Sequence, residues 1–214
     1  MLFWTILLEA YTKIVSFECQ FTFWMSLPTI TCPTLVSTDL VFAYGSLIWN
    51  PEFDFEHVER ATLRGYHRAF CIRSTRHRGT PGQPGVVLGL DRGGSCVGLV
   101  YRLRPSARGH ALNGLFAREV PRESERVYQP RIVRVCLKGG QPALALAFIA
   151  DRQSPGYARL SDEEVVQRLA CCEGARGLNR DYAINTWRAL EARGFVDRHL
   201  RRIALLLDNA TARG

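Results

Sequence analysis

Leu40-Val-Phe-Ala-Tyr-Gly-Ser-Leu-Ile-Trp49 is an apolar run that breaks at a glycine and a serine before apolar residues resume. Such a pattern predicts a short buried strand that enters a tight loop. Gly45 lets the backbone come close to a ligand, successive N–H groups of such a loop can cradle an anion, and Ser46 adds a hydroxyl. Taken alone, the same residues read more readily as a plain strand end with Trp49 packed into the core.

Downstream, residues 61–73 mix Leu, Tyr, Phe, Cys and Ile with Arg and His and predict a second strand. Three Gly and two Pro within residues 75–85 (TRHRGTPGQPG) force a loop. Two hairpin signatures follow: residues 86–90 and 95–103 flank Asp91-Arg-Gly-Gly94, and 131–137 and 143–150 flank Lys138-Gly-Gly140. Between them, Ser106 is placed to cap a helix running to about Glu119, with Leu112, Leu115 and Phe116 on one face. Beyond residue 150 the pattern turns helical. Ser161-Asp-Glu-Glu164 opens a capping box, and further helices are expected over 179–190 and 197–208. About six strands, one inserted helix and helices at the C-terminus suggest an α+β fold built on a small β-barrel.

Composition bounds the rest. The chain has 214 residues and a formal net charge of +8, and only Lys13 and Lys138 among its 28 basic residues are lysines. A basic chain attracts nucleic acid, phosphate or a small carboxylate alike. The seven cysteines are odd in number, scattered, and without a C-x-x-C pair, so they predict a reducing cytoplasm rather than a disulfide framework. The adjacent Cys171 and Cys172 read as a buried apolar pair. The five histidines show no H-x-x-x-H or H-E-x-x-H spacing, and nothing in the pattern calls for a metal. Residues 1–39 stand apart: seven aromatics, four charges, no Gly and no Arg. Glu9, Lys13 and Glu18 interrupt any membrane span, and no basic residue precedes the first apolar run. This extension reads either as an extra helix or, preferably, as a mis-assigned start, with the domain occupying 40–214.

Neither G-x-x-x-x-G-K, G-x-G-x-x-G nor G-x-S-x-G occurs. His77 and Arg78 in the 75–85 loop are placed to meet a carboxylate, or else to face water from a rigid connection. Glu119, between Arg118 and Arg122, is by its surroundings an ordinary solvated ion pair.

Four segments together carry a resemblance. Phe42-Ala-Tyr-Gly-Ser-Leu-Ile-Trp49, Gly65-Tyr-His-Arg-Ala-Phe-Cys71, the Ser74-x-x-His-Arg-Gly-Thr-Pro-x-x-Pro-Gly85 loop and Arg118-Glu119 are similar to the ChaC family of glutathione-specific γ-glutamylcyclotransferases. The match runs from about residue 40 to about residue 200. Y-G-S-L marks only the wider superfamily, whereas H-R-G-x-P-x-x-P-G is specific to this branch. The resemblance implies an open β-barrel with flanking helices and cleavage of glutathione to 5-oxoproline and Cys-Gly without metal or cofactor. Tyr44, Gly45, Ser46, Leu47, Ile48 and Trp49 would hold the γ-glutamyl moiety, and Glu119 would be the acid/base. Two departures stand out. Ala43 replaces the usual Gly, and the stretch between Glu119 and Tyr128 is about three residues longer than usual, which makes Glu123, also preceded by Arg, a rival. Tyr157, Asn179 and Tyr182 match family positions without an assigned role.

The implied partner is a small anionic peptide, which suits the basic chain as well as nucleic acid would; no aromatic-interleaved basic stripe favours the latter. Arginines, Arg78 among them, are candidates for the glycyl carboxylate. Competing readings are a cyclotransferase for other γ-glutamyl amides and a non-catalytic ligand-binding member of the same fold. Oligomeric state is not legible.

Overall fold

The computed structural model describes residues 34, 36–120 and 126–211. The expectations for residues 1–33 and for Glu123 therefore lie outside the described residues.

The apolar run at Leu40 does form a strand, β1 (Leu40–Ala43), and Val41, Phe42 and Ala43 are wholly buried. A 3-10 turn (Ser46–Ile48) follows it. β2 (Phe55–Ser74) and β3 (Gly85–Leu103) are long antiparallel partners, and β4 (Tyr128–Leu137) and β5 (Pro142–Ala150) form the second antiparallel pair. Helix α1 (Arg108–Glu119) is inserted between β3 and β4. The strands close into a barrel in the order β1-β3-β2-β4-β5, with β5 returning parallel to β1 at Val41–Leu146 and to β3 at Leu90–Ile149. The core is the barrel interior, with Phe42, Leu63, Leu90, Leu146 and Phe148 among its largest buried side chains.

The α+β barrel expected from sequence is thus present, but with five strands rather than about six. Asp91-Arg-Gly-Gly94 is not a hairpin. The segments on either side of it both pair with β2, as Arg68–Leu90 and Leu63–Cys96 illustrate. Gly93 and Gly94 do take positive φ (100° and 68°), as a turn would require, but they form a bulge opposite Gly65 (φ 82°). A bulge of this kind adds the local bend and twist that closing a barrel demands. Arg108 is the first α-helical residue of α1, preceded by a 3-10 turn over Pro105–Ala107, and Ser106 gives no side-chain cap.

The C-terminal third packs on the barrel rim. α2 (Asp162–Cys171) starts in the expected capping box, with the Ser161 hydroxyl accepting from Glu164 N and the Glu164 carboxylate accepting from Ser161 N. A two-residue hairpin, β6 (Glu173–Gly174) and β7 (Gly177–Leu178), leads into α3 (Asn179–Glu191), and α4 (Arg198–Thr211) is capped by the Asp197 carboxylate at 3.0 Å from Leu200 N. Cys171 is exposed and only Cys172 is buried, so the pair is not the wholly buried one expected. Among the described residues no helix is long and apolar enough to cross a membrane.

Candidate active site

Where β1 ends, the chain is held from three directions. The Arg68 guanidinium, buried on β2, donates from Nε to Tyr44 O at 2.6 Å, to Val97 O, and from Nη1 to Asp197 at 3.0 Å. The Tyr101 hydroxyl donates to Leu47 O at 3.0 Å, and Tyr44 donates its own hydroxyl to Phe148 O at 2.8 Å. Tyr44, Leu47 and Ile48 are buried, while Ser46 and Trp49 turn outward. Trp49 Nε1 donates to Thr186 on α3 at 3.0 Å. Gly45 lies beneath Tyr182: a Cβ there would sit 3.2 Å from the Tyr182 hydroxyl.

Ser46 and Trp49 open onto a cavity of about 720 Å³ that is also lined by Glu52, Arg76, His77, Arg78, Arg118, Glu119, Tyr128, Arg176 and Tyr182. Of the six loop residues singled out by sequence, these two reach the cavity wall. Tyr44, Gly45, Leu47 and Ile48 lie behind it and fix its shape.

Glu119 is the last residue of α1, which ends beside the loop because Ala111, Leu112, Leu115 and Phe116 are buried in the core. Its side chain is 15% exposed. Burial pushes its carboxyl pKa above the ordinary carboxylate range, against the opposing pull of Arg118 and Arg176, and the Glu52 charge adds to the rise. Three tyrosine hydroxyls near it (Tyr44, Tyr128 and Tyr182) are also held neutral by burial, with the Glu119 charge contributing. Tyr128 donates to Leu88 O at 2.8 Å and Tyr182 accepts from Leu88 N at 3.1 Å, so both rings are locked to one residue of β3.

Arg118 proves to be more than a solvated partner. Its Nη1 donates to Asn50 O (2.9 Å) and Glu52 (2.7 Å), its Nη2 to the Ser46 hydroxyl (2.8 Å), and its Nε lies 3.3 Å from Glu119. One planar fork therefore joins the loop to the carboxyl at the helix end, a geometry lysine could not reproduce. Glu52 closes the arrangement from the far side, bridging Arg118 and Arg176 (3.3 Å). It is the one non-glycine residue at positive φ (58°) among the described residues, a conformation costing about 1 kcal/mol or more. Nothing in its sequence context marked Glu52. The adjacency of Arg118 to Glu119 was the only sequence signal for Arg118.

The 75–85 loop forms the opposite wall. Two of its three glycines are required by close approach: a Cβ on Gly79 would meet Gly85 N at 2.1 Å, and one on Gly85 would meet Arg78 O at 2.0 Å, whereas Gly82 has open space around it. The β6–β7 hairpin grips the loop from outside through Ala175 N to Arg76 O and Arg176 N to His77 O, both 2.9 Å. Asn179, wholly buried, completes the grip by exchanging two 2.7 Å hydrogen bonds with the backbone of Val86. Arg78 is buried, donates to Leu178 O at 2.9 Å and lies 5.8 Å over the Tyr182 ring, so its fork is engaged by the protein. His77 is kept neutral by burial and by the positive charge of Arg176 and its neighbours. Tyr157 belongs elsewhere. Its hydroxyl donates to Asp91, which also accepts from Arg152 at 2.6 Å, on the barrel wall.

Residues 40–209 match the family model for ChaC-like proteins. This chain belongs to the ChaC-like family. It is 35% identical over 170 residues to the glutathione-specific γ-glutamylcyclotransferase of Escherichia coli, covering 79% of this chain and 72% of that one. It is 34% identical over 151 residues to glutathione-specific γ-glutamylcyclotransferase 1 of Mus musculus, covering 67% and 66% respectively. It is 33% identical over 175 residues to γ-glutamylcyclotransferase 2-3 of Arabidopsis thaliana, covering 77% and 85%. Among solved structures, a yeast γ-glutamyl cyclotransferase specific to glutathione superposes with a TM-score of 0.73 at 21% identity, covering 79% of this chain and 95% of that one. That likeness shows a shared fold.

Proposed function

We propose that this chain is a glutathione-specific γ-glutamylcyclotransferase, a cytoplasmic lyase of glutathione catabolism that needs no cofactor, with its activity in residues 40–214. The observation that carries the reading is Glu119: a carboxyl with a raised pKa, at the wall of an arginine-rich cavity, tied through Arg118 to the Ser46 loop. Membership of the ChaC-like family and the names of the relatives support the choice of substrate.

The reaction closes a five-membered ring. The substrate α-amine attacks its own γ-carbonyl, the amide bond to cysteine breaks, and 5-oxoproline and Cys-Gly leave. Holding the γ-glutamyl chain bent makes attack intramolecular in a fixed geometry, which supplies several kcal/mol of the barrier. Glu119, ionised, takes one proton from the α-ammonium to free the attacking amine and returns it to the departing cysteinyl nitrogen; the second proton, shed by the ring nitrogen as the lactam forms, passes to the regenerated carboxylate and on to the product amine, so one carboxyl serves as base and then acid. Its raised pKa brings it nearer the working pH and makes it a better base than an ordinary glutamate. Ser46, which opens the 3-10 turn and reaches the cavity, offers its backbone N–H, which has no helical partner, to the substrate's α-carboxylate or to the developing oxyanion. Arg118 keeps that turn and Glu119 in register.

The test is 5-oxoproline formation from glutathione, with γ-glutamyl-alanine as comparison substrate. Wild-type protein turns over glutathione preferentially, and Glu119→Gln lowers kcat at least about 100-fold with the fold intact. A dead Glu123→Gln with an active Glu119→Gln would move the catalytic role to Glu123. The pH behaviour carries a second signature. A carboxyl whose folded pKa is raised binds its proton more tightly in the folded chain, so its contribution to stability is lost as pH rises through that pKa. Above it, Glu119→Gln therefore melts at a higher temperature than wild type, and in wild type kcat climbs over the same interval.

A further inference from the structure

We propose that Arg176 reads the carboxylate at the far, C-terminal end of the substrate, and so makes the site prefer γ-glutamyl peptides that end in a free carboxylate. The inference rests on the γ-glutamyl reading above and adds the residue that selects the leaving peptide.

Elimination among the arginines of the cavity leads there. Arg78 is buried against Leu178 O and the Tyr182 ring. Arg118 is shared among Asn50 O, Glu52, the Ser46 hydroxyl and Glu119. Arg73 turns to Pro155 O at 3.3 Å. Arg76 is exposed, and no side-chain contact among the described residues fixes its fork. Arg176 combines what the others lack. Its backbone is pinned to His77 O, its side chain remains 40% exposed, and Nη1 alone is engaged, by Glu52 at 3.3 Å. A guanidinium carries five N–H donors in a rigid fork, so one edge is free for a second carboxylate.

Its position also fits. Glu52 bridges Arg176 to Arg118, and Arg118 touches both Ser46 and Glu119. Arg176 therefore stands one bridging carboxylate away from the reacting end. A dipeptide leaving group spans at most about 7 Å when extended, which suits an anchor set off from the catalytic carboxyl in this way. The left-handed backbone of Glu52 turns its carboxylate between the two guanidiniums and holds Arg176 in place before substrate arrives.

The experiment compares glutathione with its glycyl ethyl ester, which keeps every group except the terminal charge. For Arg176→Gln, KM for glutathione rises about tenfold, and kcat, compared at a pH above the Glu119 transition where the carboxyl is ionised with or without the Arg176 charge, stays within about twofold, as expected for loss of uniform binding. The KM for the ester does not differ between variant and wild type. Calorimetric titration of the Glu119→Gln protein and the Glu119→Gln/Arg176→Gln double variant with both compounds reads the same preference without turnover. Equal losses on acid and ester, or a preference abolished by Arg76→Gln instead of Arg176→Gln, would overturn the assignment. Wild-type protein that binds the acid better than the ester yet forms no 5-oxoproline would sink the catalytic reading and leave the anchor standing.

Discussion

Two glycine-bearing loops face each other across the cavity, and they are built by opposite means. The 44–49 loop is fixed from within: its carbonyls accept from Arg68 and Tyr101, side chains of the barrel's own strands. The 75–85 loop is fixed from without, by the β6–β7 hairpin and Asn179, about a hundred residues later in the chain. The first loop presents backbone and a hydroxyl from a place fixed by the barrel. The second presents arginine and histidine side chains whose placement depends on a separate element. One wall offers loop backbone tied to the Arg118–Glu52–Glu119 cluster, and the other adds arginine and histidine side chains.

Glycine substitutions test that contrast most severely. Gly85→Ala sets a Cβ against Arg78 O at 2.0 Å and Asn179 Oδ1 at 2.6 Å, where neither the backbone nor a buried amide can yield. A loss of about 4 kcal/mol or more is expected, read as a collapse of the denaturant midpoint or as insoluble protein. Arg118→Lys comes next. It keeps the charge but cannot span Ser46, Asn50, Glu52 and Glu119, so kcat/KM should fall about 10- to 100-fold with little change in melting temperature. Gly45→Ala is the mildest. Its Cβ meets the Tyr182 hydroxyl at 3.2 Å and makes an ordinary contact with Leu88 Cβ at 4.0 Å, and about 1 kcal/mol of stability should suffice to accommodate it. If Gly45→Ala proved as damaging as Gly85→Ala, the two loops would not differ in the way described.

Local patterns carried much of this molecule. The run into Gly45, the Lys138 hairpin and the Ser161 capping box are contacts between near neighbours, and each appears where the residues place it. The 91–94 segment shows where local reading fails. Positive-φ glycines serve a hairpin and a bulge equally well, and the choice rests on whether a partner strand is long enough to pair with both flanks. β2, at 20 residues, is. The candidate acid/base came from family likeness, because nothing within a few positions of Glu119 distinguishes it from a surface glutamate. What distinguishes it arrives from other parts of the chain: the Glu52 and Arg176 charges, and the Ser46 hydroxyl and Glu52 carboxylate that hold the neighbouring Arg118. Arg68 and Glu52 were illegible for the same reason: each acts through atoms far away in sequence.

The grip of the β6–β7 hairpin on residues 76 and 77 also sets an order of assembly. All five barrel strands have been made once residue 150 leaves the ribosome, and the apolar interior can close around Phe42 and Phe148 at that stage. The cavity wall cannot, because Arg176, Asn179 and Tyr182 have yet to be synthesised. A growing chain therefore passes through a stage that has its scaffold but an unfinished cavity wall, and that wall is complete only once Tyr182 has been added.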